Sequence, residues 1–176
     1  MATRAPLSLK ARAIGLLAQR EHSRAELRRK LLRIEQQRRQ RARLAAAQAA
    51  GEGEPSAAVE EEDGAEDVAV AVDALLDALA ATGYLDETRF VESRLHLRAN
   101  RFGAQRIQQE LAQHGLKLGA EQQAALRETE MERAREVWRR RFGDDPSRDA
   151  AERARQSRFL LARGFAPEVV RRLLRA

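Results

Sequence analysis

The chain of 176 residues contains no cysteine. That excludes a disulfide framework and any thiolate metal site, and it suits a reducing compartment such as the cytoplasm. Aromatic residues make up only 4%, so a single large aromatic core is not available. No apolar run reaches the length a membrane crossing needs, so no membrane partner is expected. Met1 to Leu9 lacks the apolar stretch of a secretory signal. Strand-period alternation is missing throughout. There is no G-x-x-x-x-G-K-[ST] loop to cradle nucleotide phosphates. His22, His96 and His114 stand far apart, without paired metal-ligand spacing. No catalytic constellation stands out, and no cofactor or metal is expected. His22, in a turn, and His114, beside a helix-ending glycine, read as ordinary surface or capping histidines.

Charge is abundant and unevenly placed. Residues 1–50 hold 13 Lys/Arg against 3 Asp/Glu, residues 51–87 hold 12 acids and no base, and residues 88–176 hold 20 bases against 12 acids. The net charges are +10, −12 and +8, within a total of +6. Two basic parts point to a polyanionic partner such as nucleic acid. An arginine-rich solvated surface is the plain alternative.

Helical patterning fills the rest. Ser8 caps a first helix with Leu9, Ala13, Leu16, Leu17 and Arg20 on one side. Ser23 and Glu26 form the S-x-x-E signature of a capping box, and Leu27 and Leu31 follow at i and i+4. Gln36 to Ala50 has high helix propensity but no face to bury, so it prolongs this second helix into solvent. Gly51 to Asp67 reads as a disordered acidic linker. Order resumes at Val68, with Val72, Leu75, Leu76 and Leu79 in helical register and Gly83 as the stop. Asp86 caps a helix bearing Phe90, Val91, Leu95 and Leu97. Ile107 and Leu111 mark the next, closed by Gly115, and a short helix covers Ala120 to Arg127. Met131, Ala134, Trp138 and Phe142 form a stripe. Asp145 and Pro146 open a helix carried by Ala150, Ala154, Ser157 and Leu161, with Phe159 and Leu160 beside them, closed by Gly164. Pro167 opens the last, with Val169, Val170, Leu173 and Leu174 inward.

A unit recurs. Leu111 is followed four residues later by Gly115, and Leu160 by Gly164; Leu31 holds the same place, but Glu35 replaces the glycine. Helix, turn, capped helix, glycine, helix is the unit. The expected fold is all-α, about nine helices in three tandem three-helix repeats forming an elongated curved rod, with the disordered acidic insertion in the first. The expected boundaries are 1–82 (with 36–67 inserted), 83–127 and 128–176.

Four segments carry a resemblance: Arg20–Leu31 (REHSRAELRRKL), Gly83–Phe90 (GYLDETRF), Arg101–Leu111 (RFGAQRIQQEL) with Gly115, and Phe159–Phe165 (FLLARGF). In order and spacing they resemble the RecX family, regulators of the bacterial recombinase RecA. The resemblance implies a non-enzymatic protein that binds the RecA nucleoprotein filament on single-stranded DNA. It would limit filament growth and restrain strand exchange and the co-protease activity behind the SOS response. A monomer is expected.

Most motif residues are structural on this reading. Leu31, Phe90, Leu111, Trp138 and Phe165 belong in the core, Trp138 in preference to stacking on a base. The residues expected to contact DNA or RecA are the cations away from the apolar stripes: Arg20, Arg24, Arg28, Arg29 and Lys30; Arg98, Arg101 and Arg106; and Arg139, Arg140, Arg141 and Arg163. A helix-turn-helix transcription regulator and a protein-only helical adaptor are the alternatives.

Overall fold

The computed structural model describes residues 7–50, 60–144 and 149–175. Among them there are nine helices and no strand: α1 (Leu9–Gln19), α2 (Arg24–Ala50), α3 (Glu60–Ala81), α4 (Glu87–Ala99), α5 (Ala104–Ala112), α6 (Ala120–Glu128), α7 (Glu130–Phe142), α8 (Ala150–Ala162) and α9 (Pro167–Arg175). They form two compact units, residues 1–87 and 88–176.

In the first unit, the Ser8 hydroxyl accepts from the Ala11 amide (3.2 Å) and that of Ser23 from Glu26 (3.1 Å), so both caps act as the sequence implies. Ala13, Leu27, Leu31, Val72, Leu76, Leu79 and Leu85 are buried together, with Leu9, Leu16, Leu17 and Val68 packed around them. α2 does run on to Ala50, about 40 Å at 1.5 Å per residue. The structure differs over what lies beside it. α3 begins at Glu60, eight residues before Val68, and it lines a groove with Leu32, Gln36 and Arg39 of α2 through Ala65, Val68 and Ala69. The acidic composition of residues 60–67 is compatible with a helix start, where the macrodipole favours negative charge. Residues 51–59 of the expected linker lie outside the described residues.

The second unit has two apolar clusters. Phe90, Val91, Ile107, Leu111, Leu118 and Leu126 fill the α4–α6 trio. Ala134, Val137, Trp138, Leu160, Phe165, Val170 and Leu173 fill the α7–α9 trio. The Leu-x-x-x-Gly spacing has a direct cause. The Leu116 amide returns to the Leu111 carbonyl (3.0 Å) and the Phe165 amide to the Leu160 carbonyl (3.3 Å), a Schellman closure. It puts Gly115 at φ +74° and Gly164 at φ +78°, where a side chain is strained.

Two expectations need correction, and a third falls outside the described residues. Leu97 is 62% exposed, because the inward face of α4 is filled by Phe90, Val91 and Leu95. α8 starts at Ala150, capped by Asp149, which accepts from the Glu152 amide (2.9 Å); the expected cap and start at Asp145 and Pro146 lie outside the described residues. α8 buries Gln156 and Leu160, while Leu161 is 41% exposed. The Trp138 indole N–H explains this face. It donates to Gln156 Oε1 at 3.0 Å, so a glutamine takes a core position that an apolar-stripe reading leaves empty.

Candidate nucleic-acid interface

The arginines fall into two kinds: those already held by carboxylates and those that are not. The first expected patch, Arg20 at the end of α1 and four cations of α2, is mostly held. Arg28 grips Asp73 of α3 with two bonds, Nε to Oδ1 at 2.7 Å and a terminal nitrogen to Oδ2 at 2.9 Å. This pair holds the Asp73 carboxyl below its usual range through the hydrogen bond. Arg24 reaches Asp77 Oδ1 at 2.7 Å. Arg20 forms a two-pronged pair with the Glu26 carboxylate. Lys30 lies 3.4 Å from Glu26 Oε1. Arg29 alone of the five is exposed without a side-chain partner among the described residues.

His22 stands at the centre of this network. It is 1% exposed, which corrects the surface reading of it. Its partners dictate the tautomer: the Arg20 carbonyl, 2.9 Å from Nδ1, can only accept, and the Lys30 ammonium, 2.9 Å from Nε2, can only donate. A neutral ring with the proton on Nδ1 satisfies both. Burial, followed by the adjacent cations Arg20 and Lys30, moves the imidazole below its ordinary pKa, against the pull of its backbone bond and of Glu26. Burial would raise the Glu26 carboxyl, but the Arg20 hydrogen bond and the surrounding positive charge hold it at about 2. This surface is therefore an internal ion network that seats α2. Arg24 and Arg28, which a recognition helix would offer to base edges, are tied to α3.

The second unit presents the other kind. Arg98 is paired, bridging from α4 to Glu110 of α5 at 3.1–3.3 Å together with Arg94. Arg139 pairs with Asp144 (3.2 Å) and Arg140 with Glu136 (2.9 Å). Arg106 is exposed on α5. Arg101, Arg141 and Arg163 have no carboxylate partner among the described residues. Arg163 lies 3.7 Å above the Phe159 ring. Phe159 meets Phe142 edge to face at 5.0 Å, and Arg141 flanks Phe142 at 5.9 Å. Arg101 flanks Phe102 at 5.9 Å. Arg163 carries the electrostatic mark of this convergence: burial first, then the like charges of Arg101 and Arg141, lower its pKa. A guanidinium remains protonated under such a shift. The three residues follow or end α4, α7 and α8, so the negative ends of three helix dipoles offset part of their repulsion.

Two residues that the sequence did not single out hold this surface in place. Glu130, 4% exposed, accepts from the Ala104 amide at 3.3 Å and the Ala166 amide at 3.2 Å. One carboxylate thus serves the starts of both α5 and α9. Arg133 donates to the carbonyls of Ala99 (2.9 Å), Phe102 (2.8 Å) and Leu126 (2.7 Å), satisfying helix-end acceptors that α4 and α6 leave open. A first-turn acid and a mid-helix arginine are too common to have marked either. Among the described residues no His, Asp or Glu group is gathered to hold a metal, and no helix is long and apolar enough to cross a membrane.

Three-helix units in tandem define an all-helical repeat protein. Similarity to known proteins narrows the class. Residues 128–174 match the family model described as RecX, third three-helix domain. The chain is 47% identical to the regulatory protein RecX of Leptothrix cholodnii, over 99% of this chain and 93% of that protein. It is 46% identical to that of Ralstonia nicotianae, over 97% and 89%, and 38% identical to that of Pseudomonas entomophila, over 96% and 91%. The chain belongs to the RecX family of regulatory proteins.

Proposed function

We infer that this chain is a non-enzymatic regulator of RecA. It acts in the cytoplasm as a monomer, binds the RecA filament on single-stranded DNA, limits its growth, and so restrains strand exchange and the SOS co-protease activity. Its repeats are taken to run over 1–82, 83–127 and 128–176. The observation that carries the reading is the division among the arginines. On the second unit Arg101, Arg106, Arg141 and Arg163 remain available to a polyanion or an acidic protein groove, and on the first unit Arg29 does. Arg20, Arg24, Arg28, Lys30, Arg98, Arg139 and Arg140 face outward in part but are already paired with carboxylates. They contribute to the filament contact only by exchanging those partners. Family membership supports the regulatory role.

The test is direct. Purified protein is added to RecA assembled on single-stranded DNA, and ATP hydrolysis is followed. A progressive fall in rate is expected. An unchanged rate at protein concentrations that saturate the filament would remove the reading. Sequence-specific duplex binding in its place would restore the transcription-regulator alternative.

A further inference from the structure

We propose that the surface formed by Arg101, Arg141 and Arg163 with Phe102, Phe142 and Phe159 is a binding site for single-stranded nucleic acid, and that it contacts the DNA of the filament rather than RecA. This rests on the filament-binding reading and divides its surface.

Three observations favour a nucleic-acid strand over acidic protein. First, the cluster contains more positive charge than this chain's own carboxylates are seen to hold. Elsewhere one carboxylate takes one or two guanidiniums at a distance near 3 Å, as Glu110 does with Arg94 and Arg98. Three guanidiniums from separate helix ends have none among the described residues. A phosphodiester chain delivers one negative charge per nucleotide along a flexible line, which suits cations spread over three helix ends. Second, the phenyl groups are half-buried at the surface, interleaved with the cations. A carboxylate gains nothing from a phenyl ring, whereas an unpaired base does; aromatic groups and cations together are the usual equipment of single-strand grooves. In a duplex the base faces are stacked away, so the same rings would find only backbone. Third, the guanidinium of Arg163 is held in place before any ligand arrives. Its Cζ lies 3.7 Å over the centre of the Phe159 ring, and its own carbonyl accepts from the Gly103 amide at 2.9 Å. That bond ties the α8 end to the turn that carries Arg101 and Phe102. Two helix trios thus build one surface, and Arg163 has less side-chain entropy to lose on binding than a free arginine.

The experiment uses the full chain and oligothymidylate, without RecA, with affinity measured across a salt series. For the wild-type protein, log affinity falls steeply with log salt. Arg101→Ala/Arg141→Ala changes only exposed side chains, and it should flatten the slope by about 1.4, at roughly 0.7 per single-strand phosphate contact. Adding Arg163→Ala should bring the loss to about 2, with helicity checked by circular dichroism. Arg127→Ala/Arg172→Ala, on α6 and α9, removes the same charge as the double variant and should leave the slope as it was. An unchanged slope in the double variant overturns the proposal, as does an equal flattening by the control pair. Equal affinity for duplex and oligothymidylate overturns the single-strand assignment. If the slope stands while the double variant no longer affects RecA, the surface contacts protein and the proposal is wrong. If the slope flattens but the wild-type protein leaves RecA ATP hydrolysis untouched, this site stands and the regulatory reading falls.

Discussion

Gly103 and Gly164 meet back to back. The Gly103 amide donates to the Arg163 carbonyl (2.9 Å) and the Gln105 amide to the Gly164 carbonyl (3.2 Å). A Cβ on Gly103 would overlap the Gly164 carbonyl, and one on Gly164 would lie 2.6 Å from Arg106 Cβ. Two helix trios therefore touch through bare backbone. Gly115 has nearly the same φ as Gly164, yet a Cβ there would meet nothing within 4 Å. The pair separates strain from collision. Gly115→Ala should cost about 1 kcal/mol, the left-handed penalty alone. Gly164→Ala and Gly103→Ala should each cost roughly 2–4 kcal/mol, since backbone has to move. Urea midpoints of the three variants are the check; equal losses at Gly115 and Gly164 would show that the approach is not tight.

Stability in acid follows from the His22 network. The His22 pKa is lower folded than unfolded, so its contribution is full above about 6.5 and is lost as pH falls below that value. Protonation there removes the acceptor for Lys30 and sets two cations 2.9 Å apart. Glu26, held at about 2 against 4.5, adds a second loss between those values, up to roughly 3 kcal/mol. The thermal midpoint should therefore fall between pH 6.5 and 5, before ordinary carboxylates titrate. His22→Gln should lower the midpoint at pH 7.5 and flatten the change over that window. The same slope in both proteins would show that His22 is not the source.

Arg28 and Asp73 are 45 residues apart, and their pairing changes what an arginine variant on α2 means. Arg28→Ala and Asp73→Ala should each destabilise the first unit, and the double variant should lose less than the two combined. High salt should shrink that coupling. Oligothymidylate affinity should change little in either single variant. A clear loss of affinity in Arg28→Ala, with Asp73→Ala raising it, would mean that the strand competes with Asp73 for this arginine.

Local chemistry was legible in the sequence and distant pairing was not. Ser8, Ser23 and the glycines after Leu111 and Leu160 act within a few residues of themselves, so spacing alone located them. Helix faces were readable where large apolar residues recur, as in Val72–Leu76–Leu79, and misread on α8, where Gln156 occupies the core for the sake of one indole. The availability of the arginines was not legible, for a physical reason. A cation's availability depends on whether a carboxylate arrives from another helix. Nothing near Arg28 announces Asp73, and nothing near Arg163 announces Arg101 and Arg141. Glu130 likewise joins helix starts 26 and 36 residues away, beyond the reach of any local pattern.

Trp138, the only tryptophan, offers the last test because it reports on both folding and binding. It is 2% exposed, and its single polar atom is matched to Gln156, itself 3% exposed. Trp138→Phe would leave Gln156 Oε1 buried without that donor and open space beside Ala134 and Leu160. A cost of roughly 2–4 kcal/mol is expected, part from the orphaned acceptor and part from lost packing. Gln156→Leu would strand the indole N–H instead, at about 1–3 kcal/mol. Combining Trp138→Phe with Gln156→Leu removes both polar partners, so the double variant should be less destabilised than the two losses combined. Strict additivity would mean the 3.0 Å bond contributes nothing. In the wild-type protein the indole should emit at short wavelength and hold that emission when saturating oligothymidylate is added, since bases cannot reach it. Quenching on addition of the strand would move Trp138 from the core to the binding surface, and the phenylalanine platform would then not be the place where bases stack.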